Sequence, residues 1–251
     1  MISQKDLKLI RSLSLKKYRE KWNLFIIEGK RVLEEALNLS TPLSGVFYTA
    51  AFSAVKGNQA LLLKIGKNLT PEEVTEKEMK IISPSVSPPG LLAFSPIPAF
   101  NFSAVENKSN WIYLDGISDP GNMGTLLRTA AWYGIHLVGL GGDCISAYNP
   151  KVVRAAMGAH FYLKFMGEIN LERMKKTHLL VGADQRGSDK ITHPLEKPVV
   201  LLLGSEAQGL SAAAKKQADL LISVKKYGQG ESLNVGVAAG ILLDRIVGKN
   251  L

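Results

Sequence analysis

Val199-Val-Leu-Leu-Leu-Gly-Ser-Glu-Ala-Gln-Gly209 decides the fold. Five consecutive aliphatic residues show no polar alternation, so a strand built from them must be covered on both faces. Parallel sheets of α/β proteins meet that demand. The run stops at Gly204-Ser-Glu, and a second glycine follows at Gly209. Small residues there bare the backbone at a strand's carboxyl end, where open α/β sheets bind their ligands.

The surrounding segments fit. Trp111–Leu114, Leu137–Leu140 and Leu179–Ala183 are short apolar runs, and helical patterns occupy 124–132, 151–157, 210–218 and about 234–246. Strand and helix in alternation predict a mostly parallel sheet with helices on both faces. Upstream, Leu7, Ile10 and Leu13 line a helix face opposite Lys5, Lys8 and Arg11. Phe25-Ile-Ile27, Val46–Thr49 and Leu91–Phe94 read as strands, and Val32, Leu33, Ala36 and Leu37, then Leu61–Ile65, as helices. Thr75-Glu-Lys-Glu78 is a capping-box start for a helix ending near Ile82. Prolines and polar residues over 95–104 remove both patterns. The chain divides into an α/β domain over 1–96, a linker over 97–108 and a larger α/β domain over 109–251.

Two more segments carry chemistry: Asp115-Gly-Ile-Ser-Asp-Pro-Gly-Asn-Met-Gly-Thr-Leu-Leu-Arg128 and Gly230-Glu-Ser-Leu-Asn-Val-Gly-Val-Ala-Ala-Gly240. With 199–209 between them, they resemble the motifs of the SpoU (TrmH-like) family of RNA ribose methyltransferases. Asn122, Gly124 and Arg128 match its Asn-x-Gly-x-x-x-Arg. Gly204, Glu206 and Gly209 match Gly-x-Glu-x-x-Gly, and Ser232-Leu-Asn-Val235 the third motif. Any one pattern recurs by chance; all of them in order are specific. Asn149–Ala155, Lys16–Arg19 and Phe25–Gly29 extend the resemblance over nearly the whole chain. It departs at Lys225-Lys226, where the family has Pro-Met, and at Ala156, where serine is common.

The resemblance implies a C-terminal α/β domain tied in a deep trefoil knot, a homodimer, and an N-terminal RNA-binding domain similar to kink-turn-binding ribosomal proteins. It implies S-adenosylmethionine (AdoMet) as methyl donor, without metal, and structured RNA as acceptor, ribosomal favoured over transfer RNA. Leu203, Gly204, Ser205, Val224 and Leu233 would contact AdoMet; Arg128, Asn122, Glu206, Ser232 and Asn234 would act on the ribose 2′-hydroxyl. An adenine needs backbone without bulk and apolar cover, which Gly204, Gly209, Gly228 and Gly230 with Leu203, Val224 and Leu233 can supply. These residues also suit mere turns and core. A guanidinium stays protonated, so Arg128 reads as a clamp on the phosphate beside the target ribose. Asn122 reads as the N-cap of the Arg128 helix, Asn234 as the start of the last helix, and Glu206 as an acceptor from Arg128 or Asn122. A catalytically silent knotted scaffold that only binds RNA stays open as the other reading.

Bulk properties agree. The net charge is +9, and Lys5, Lys8, Arg11, Lys16, Lys17, Arg19, Lys21, Lys30 and Arg31 crowd a stretch holding only Asp6, Glu20 and Glu28 as acids. Such a cluster suits a polyphosphate partner through counterion release. Cys144 is the only cysteine, which excludes an internal disulfide, and His136, His160, His178 and His193 have no metal-ligand spacing. No apolar run spans a membrane and no secretory signal is evident, so a cytoplasmic protein is expected.

Overall fold

The computed structural model describes residues 2–99, 109–167, 169–190 and 196–248. From residue 100 on, the expected linker lies outside the described residues, as does His193. The chain forms two compact units, Met1–Ala99 with Ser146–Phe161, and Phe100–Ile145 with Tyr162–Leu251.

The first unit runs α1 (Gln4–Ser12), α2 (Lys16–Trp22), β1 (Leu24–Glu28), α3 (Lys30–Asn38), β2 (Gly45–Thr49), α4 (Ala50–Ala54), α5 (Asn58–Gly66), β3 (Glu72–Val74), α6 (Glu76–Ile82) and β4 (Leu91–Pro96). Its sheet has the order β1-β4-β2-β3. The period of two along a strand sorts its side chains. Phe25, Ile27, Val46, Leu91 and Ala93 pack with Leu33, Ala36, Leu61 and Ile65, whereas Ile26, Phe47, Leu92 and Phe94 pack with Ile10, Leu13, Met79 and Ile82. Helices therefore cover both faces. The expected capping box is present at Thr75 and Glu78, with Thr75 N donating to Glu78 Oε2 at 2.8 Å.

One member of the basic cluster is corrected by its surroundings. Arg19 is buried, and its Nη1 donates to the carbonyls of Leu13 and Ser14, both at 2.9 Å. It ties off the α1–α2 turn, and burial lowers its pKa. Lys5, Lys8, Arg11, Lys17, Lys21 and Arg31 are exposed, and Lys16 and Lys30 pair with Glu20 and Glu34.

The chain then continues through β5 (Trp111–Asp115), α7 (Pro120–Trp132), β6 (Leu137–Leu140), α8 (Pro150–Ala155), β7 (Lys164–Met166), α9 (Leu171–Met174), β8 (Leu179–Ser188), β9 (Val199–Gly204), α10 (Ala212–Gln217), β10 (Leu220–Ile222) and α11 (Val235–Val247). The strands form one parallel sheet in the order β10-β8-β9-β5-β6-β7. β9 is buried at every position, as its unbroken apolar run requires. α7 packs against α11. The sequence reading missed β3, β7 and β10, which are three-residue strands at sheet edges. It also carried the second domain unbroken over 109–251. The structure places Ser146–Phe161 in the first unit, where Val153 joins the core with Tyr148 and Phe161 against it.

Candidate active site

The sheet order reverses between β9 and β5: the chain leaves β5 toward β6 on one side, while β8 pairs with β9 on the other and β10 lies beyond it at the edge. Open α/β sheets bind ligands beyond the strand ends at such a switch point. Asp115 and Gly204, the last residues of β5 and β9, face each other in register. A cavity of about 470 Å³ opens there, lined by the turns after both strands, by Asn122, by Asp143 after β6, and by Val235 at the start of α11.

Each wall has a local cause. After Gly204 the chain folds back at once: Gly209 N donates to Ser205 O at 2.8 Å, and Gly209 takes a φ of 66°. A Cβ on Gly204 would stand 2.1 Å from the Gly209 carbonyl carbon, so only glycine permits the return. Asp115 Oδ2 accepts from Ser211 N at 2.7 Å and pins the far end of the loop. Across the cavity α7 begins, and its N-cap is Asp119, whose Oδ1 accepts from Asn122 N at 2.8 Å. This corrects the expectation that Asn122 caps the helix and that it starts near residue 124. Asp119 precedes Pro120, which is suited to the first helical position, so the helix starts a turn earlier. The Asp-Pro pair was the available signal.

Relieved of capping, the Asn122 side chain is free for another partner. Asn234 Nδ2 donates to Asn122 Oδ1 at 2.8 Å and to Glu206 Oε1 at 2.7 Å. Asn234 Oδ1 accepts from Gly236 N at 2.9 Å and caps α11, as the sequence suggests. One amide thus uses both ends, fixing a helix terminus and joining three distant segments.

Other expected site residues are placed differently. Arg128 is exposed on α7, and no hydrogen bond joins it to Glu206 or Asn122 among the described residues. It lies six positions beyond Asn122, about 9 Å along a helix axis. The expected Glu206 bond to Arg128 is replaced by the one from Asn234. Ser232 and Leu233 are exposed, Val224 is half-buried, and the Leu203 side chain is fully buried, which leaves only its backbone for a ligand. Gly228 and Gly230 have open space beside them, so the 223–234 stretch shows backbone and apolar side chains together. That combination fits an adenine ring. Lys226 Nζ donates to Gly230 O at 2.5 Å, and Lys225 Nζ lies 5.1 Å from the Tyr227 ring centroid.

Sequence reasoning also missed the cavity's acidity. Asp115, Asp119, Asp143 and Glu206 all line it. They come from three separate loops, Asp115 and Asp119 from the turn after β5, Asp143 from that after β6 and Glu206 from that after β9, so no single linear pattern shows them together. Cys144 donates to Leu114 O at 3.1 Å, and burial pushes its thiol pKa up, so it is no nucleophile. Among the described residues no group of His, Cys, Asp and Glu is arranged to hold a metal ion. His160 and His178 are buried, bonded to the carbonyls of Ala147 and Ser109.

Known proteins are similar to this chain in sequence and fold. Over 246 residues the chain is 29% identical to the 23S rRNA (guanosine(2553)-2′-O)-methyltransferase RlmP of Bacillus subtilis, covering 95% of this chain and 94% of that one. It is 26% identical over 235 residues to the 23S rRNA (uridine(2479)-2′-O)-methyltransferase of Streptomyces viridochromogenes, covering 87% and 80%. The crystal structure of an AdoMet-bound rRNA methyltransferase from Sinorhizobium meliloti superposes with a TM-score of 0.84 at 27% identity, over 100% of this chain and 97% of that one. Residues 4–93 match the MRM3-like substrate binding domain. Residues 109–244 match the SpoU rRNA Methylase family, and the chain belongs to that family.

Proposed function

We propose that this protein transfers the methyl group of AdoMet to a ribose 2′-hydroxyl in ribosomal RNA. The observation that carries this reading is the Asn234 junction, which holds Asn122 and Glu206 at the rim of the switch-point cavity. Relatives named as rRNA 2′-O-methyltransferases support ribosomal over transfer RNA.

AdoMet supplies an electrophilic methyl on a sulfonium. The chain's task is to align the ribose hydroxyl and help it lose its proton. Arg128 clamps the neighbouring phosphate and stabilises negative charge developing on the oxygen. Asn122 and Ser232 orient the ribose. Glu206, with Oε1 held by Asn234, keeps Oε2 as the acceptor for the hydroxyl proton. The cofactor contacts are the backbone of Leu203, Gly204 and Ser205 with the side chains of Val224 and Leu233, and no metal takes part. The larger unit is tied in a deep trefoil knot and dimerises through apolar residues of α11 such as Val237 and Ile241. The 1–96 domain carries RNA, and the enzyme works in the cytoplasm.

The test is methyl transfer from labelled AdoMet to unmodified ribosomal RNA. Arg128→Ala should lower turnover by about 100-fold or more while AdoMet affinity, read by calorimetry, stays within a few fold. A wild-type protein that binds RNA yet neither binds AdoMet nor transfers methyl would establish the silent scaffold instead.

A further inference from the structure

Family membership leaves the base open, since related enzymes carry the names of different nucleotides. The cavity offers a criterion of its own. Of its four carboxylates, three have internal duties. Asp115 accepts from Ser211 N, Asp119 from Asn122 N, and Glu206 from Asn234 Nδ2. Asp143 lines the same cavity from the turn after β6, is exposed, and has no hydrogen-bond or ion-pair duty among the described residues. A basic protein gains nothing from a free carboxylate where a phosphate must enter, because the two repel. What a free carboxylate attracts is a row of donors. A volume of about 470 Å³ is in the range that encloses a nucleoside-sized ligand.

Resting on the methyltransferase reading above, we infer that Asp143 selects a guanine at the target nucleotide. Guanine presents two adjacent donors, N1–H and the N2 amino group, which one carboxylate accepts through both oxygens. Adenine and cytosine pair a single amino group with a ring acceptor that the carboxylate repels. Uracil offers one N–H between two carbonyls. Beside those donors guanine carries O6, an acceptor, and the Ser118 hydroxyl and Gln208 amide on the cavity wall can donate to it. No bond is made or broken by Asp143: it determines specificity, and the reacting groups are those named above.

The experiment uses the full chain, AdoMet and unmodified ribosomal RNA. Ribose methylation is mapped first, and transcripts carrying the mapped nucleotide are then made with guanosine or with inosine, which lacks the N2 amino group. We expect the mapped nucleotide to be guanosine and inosine to lower kcat/KM by about tenfold or more. Asp143→Asn should lower kcat/KM on guanosine by a similar factor and bring the guanosine-to-inosine ratio toward one, with AdoMet affinity unchanged. Methylation of another base, or a ratio kept by Asp143→Asn, overturns the assignment while leaving the methyltransferase intact. Weakened AdoMet binding by Asp143→Asn overturns it too, because the carboxylate would then serve the cofactor's ammonium group. Absence of any methyl transfer removes the methyltransferase reading and this inference with it.

Discussion

At the scale of single residues, Gly204 and Asn234 have the sharpest consequences. A substitution at Gly204 acts before any ligand arrives, because the new Cβ meets the backbone of Gly209 and Leu210. Even Gly204→Ala should therefore abolish AdoMet binding in calorimetry, whereas Gly66→Ala, with open space beside it and far from the motif residues in sequence, should retain it. Equal affinities for the two variants would show that the 204–209 return can relax. Asn234→Ala removes a helix cap and the junction in one step. It should cost about 1 kcal/mol in thermal unfolding, as the removal of a cap does, yet lower kcat far more than that stability loss explains. Asn234→Ser, which still caps, should restore the melting temperature and leave kcat low; recovery of both would reduce Asn234 to a cap.

At the scale of elements, legibility followed burial. β9 and β5 were readable because central strands of a parallel sheet need apolar residues at successive positions, and Thr75–Glu78 because a capping box is a local contract between near neighbours. The short edge strands left no periodic trace. Asn122 reads as a cap in the sequence because Asn and Asp both suit that place, and only the structure shows Asp119 taking it. The motif residues were legible as types; that Glu206 meets Asn234 and not Arg128 depends on helix rise, which no spacing rule settles alone. Least legible was the membership of Ser146–Phe161 in the first unit. Phe25 and Tyr148 rings lie 4.9 Å apart there, and His160 Nε2 donates to Ala147 O at 2.6 Å. A fragment of residues 109–251 should thus bind hydrophobic dye, and less so once Tyr148, Val153 and Phe161 are all changed to serine. No difference in dye fluorescence would mean that the segment finds other cover. Burial also lowers the His160 pKa to about 4 from 6.5. Between those values the unfolded chain holds a proton the folded one lacks, so stability is complete above pH 6.5 and falls as pH drops toward 4. The loss is on the order of 3 kcal/mol. His160→Gln should flatten melting temperature against pH across that window, and an unchanged curve would refute the assignment.

At the scale of the whole molecule, charge separates two kinds of arginine and lysine that composition counts alike. Changing Lys5, Lys8 and Arg11 together to glutamine should flatten the slope of log K for RNA against log salt by up to about 2.7, near 0.9 for each phosphate no longer neutralised. Arg19→Gln should leave that slope alone and lower the melting temperature, since its guanidinium is committed to the Leu13 and Ser14 carbonyls. A slope that moves with Arg19 would place that side chain on the RNA.

The Asn234 amide has a further meaning when time is considered. Its partners lie 112 and 28 positions earlier in the chain. During synthesis at about 5–20 residues per second, Asn122 waits at least several seconds for the residue that completes its hydrogen bond. Until α11 clears the ribosome, the nascent chain can present its basic surface to RNA with an unfinished reaction centre. The order of synthesis thereby puts the amino-terminal basic surface outside the ribosome before the junction of Asn122, Glu206 and Asn234 can close.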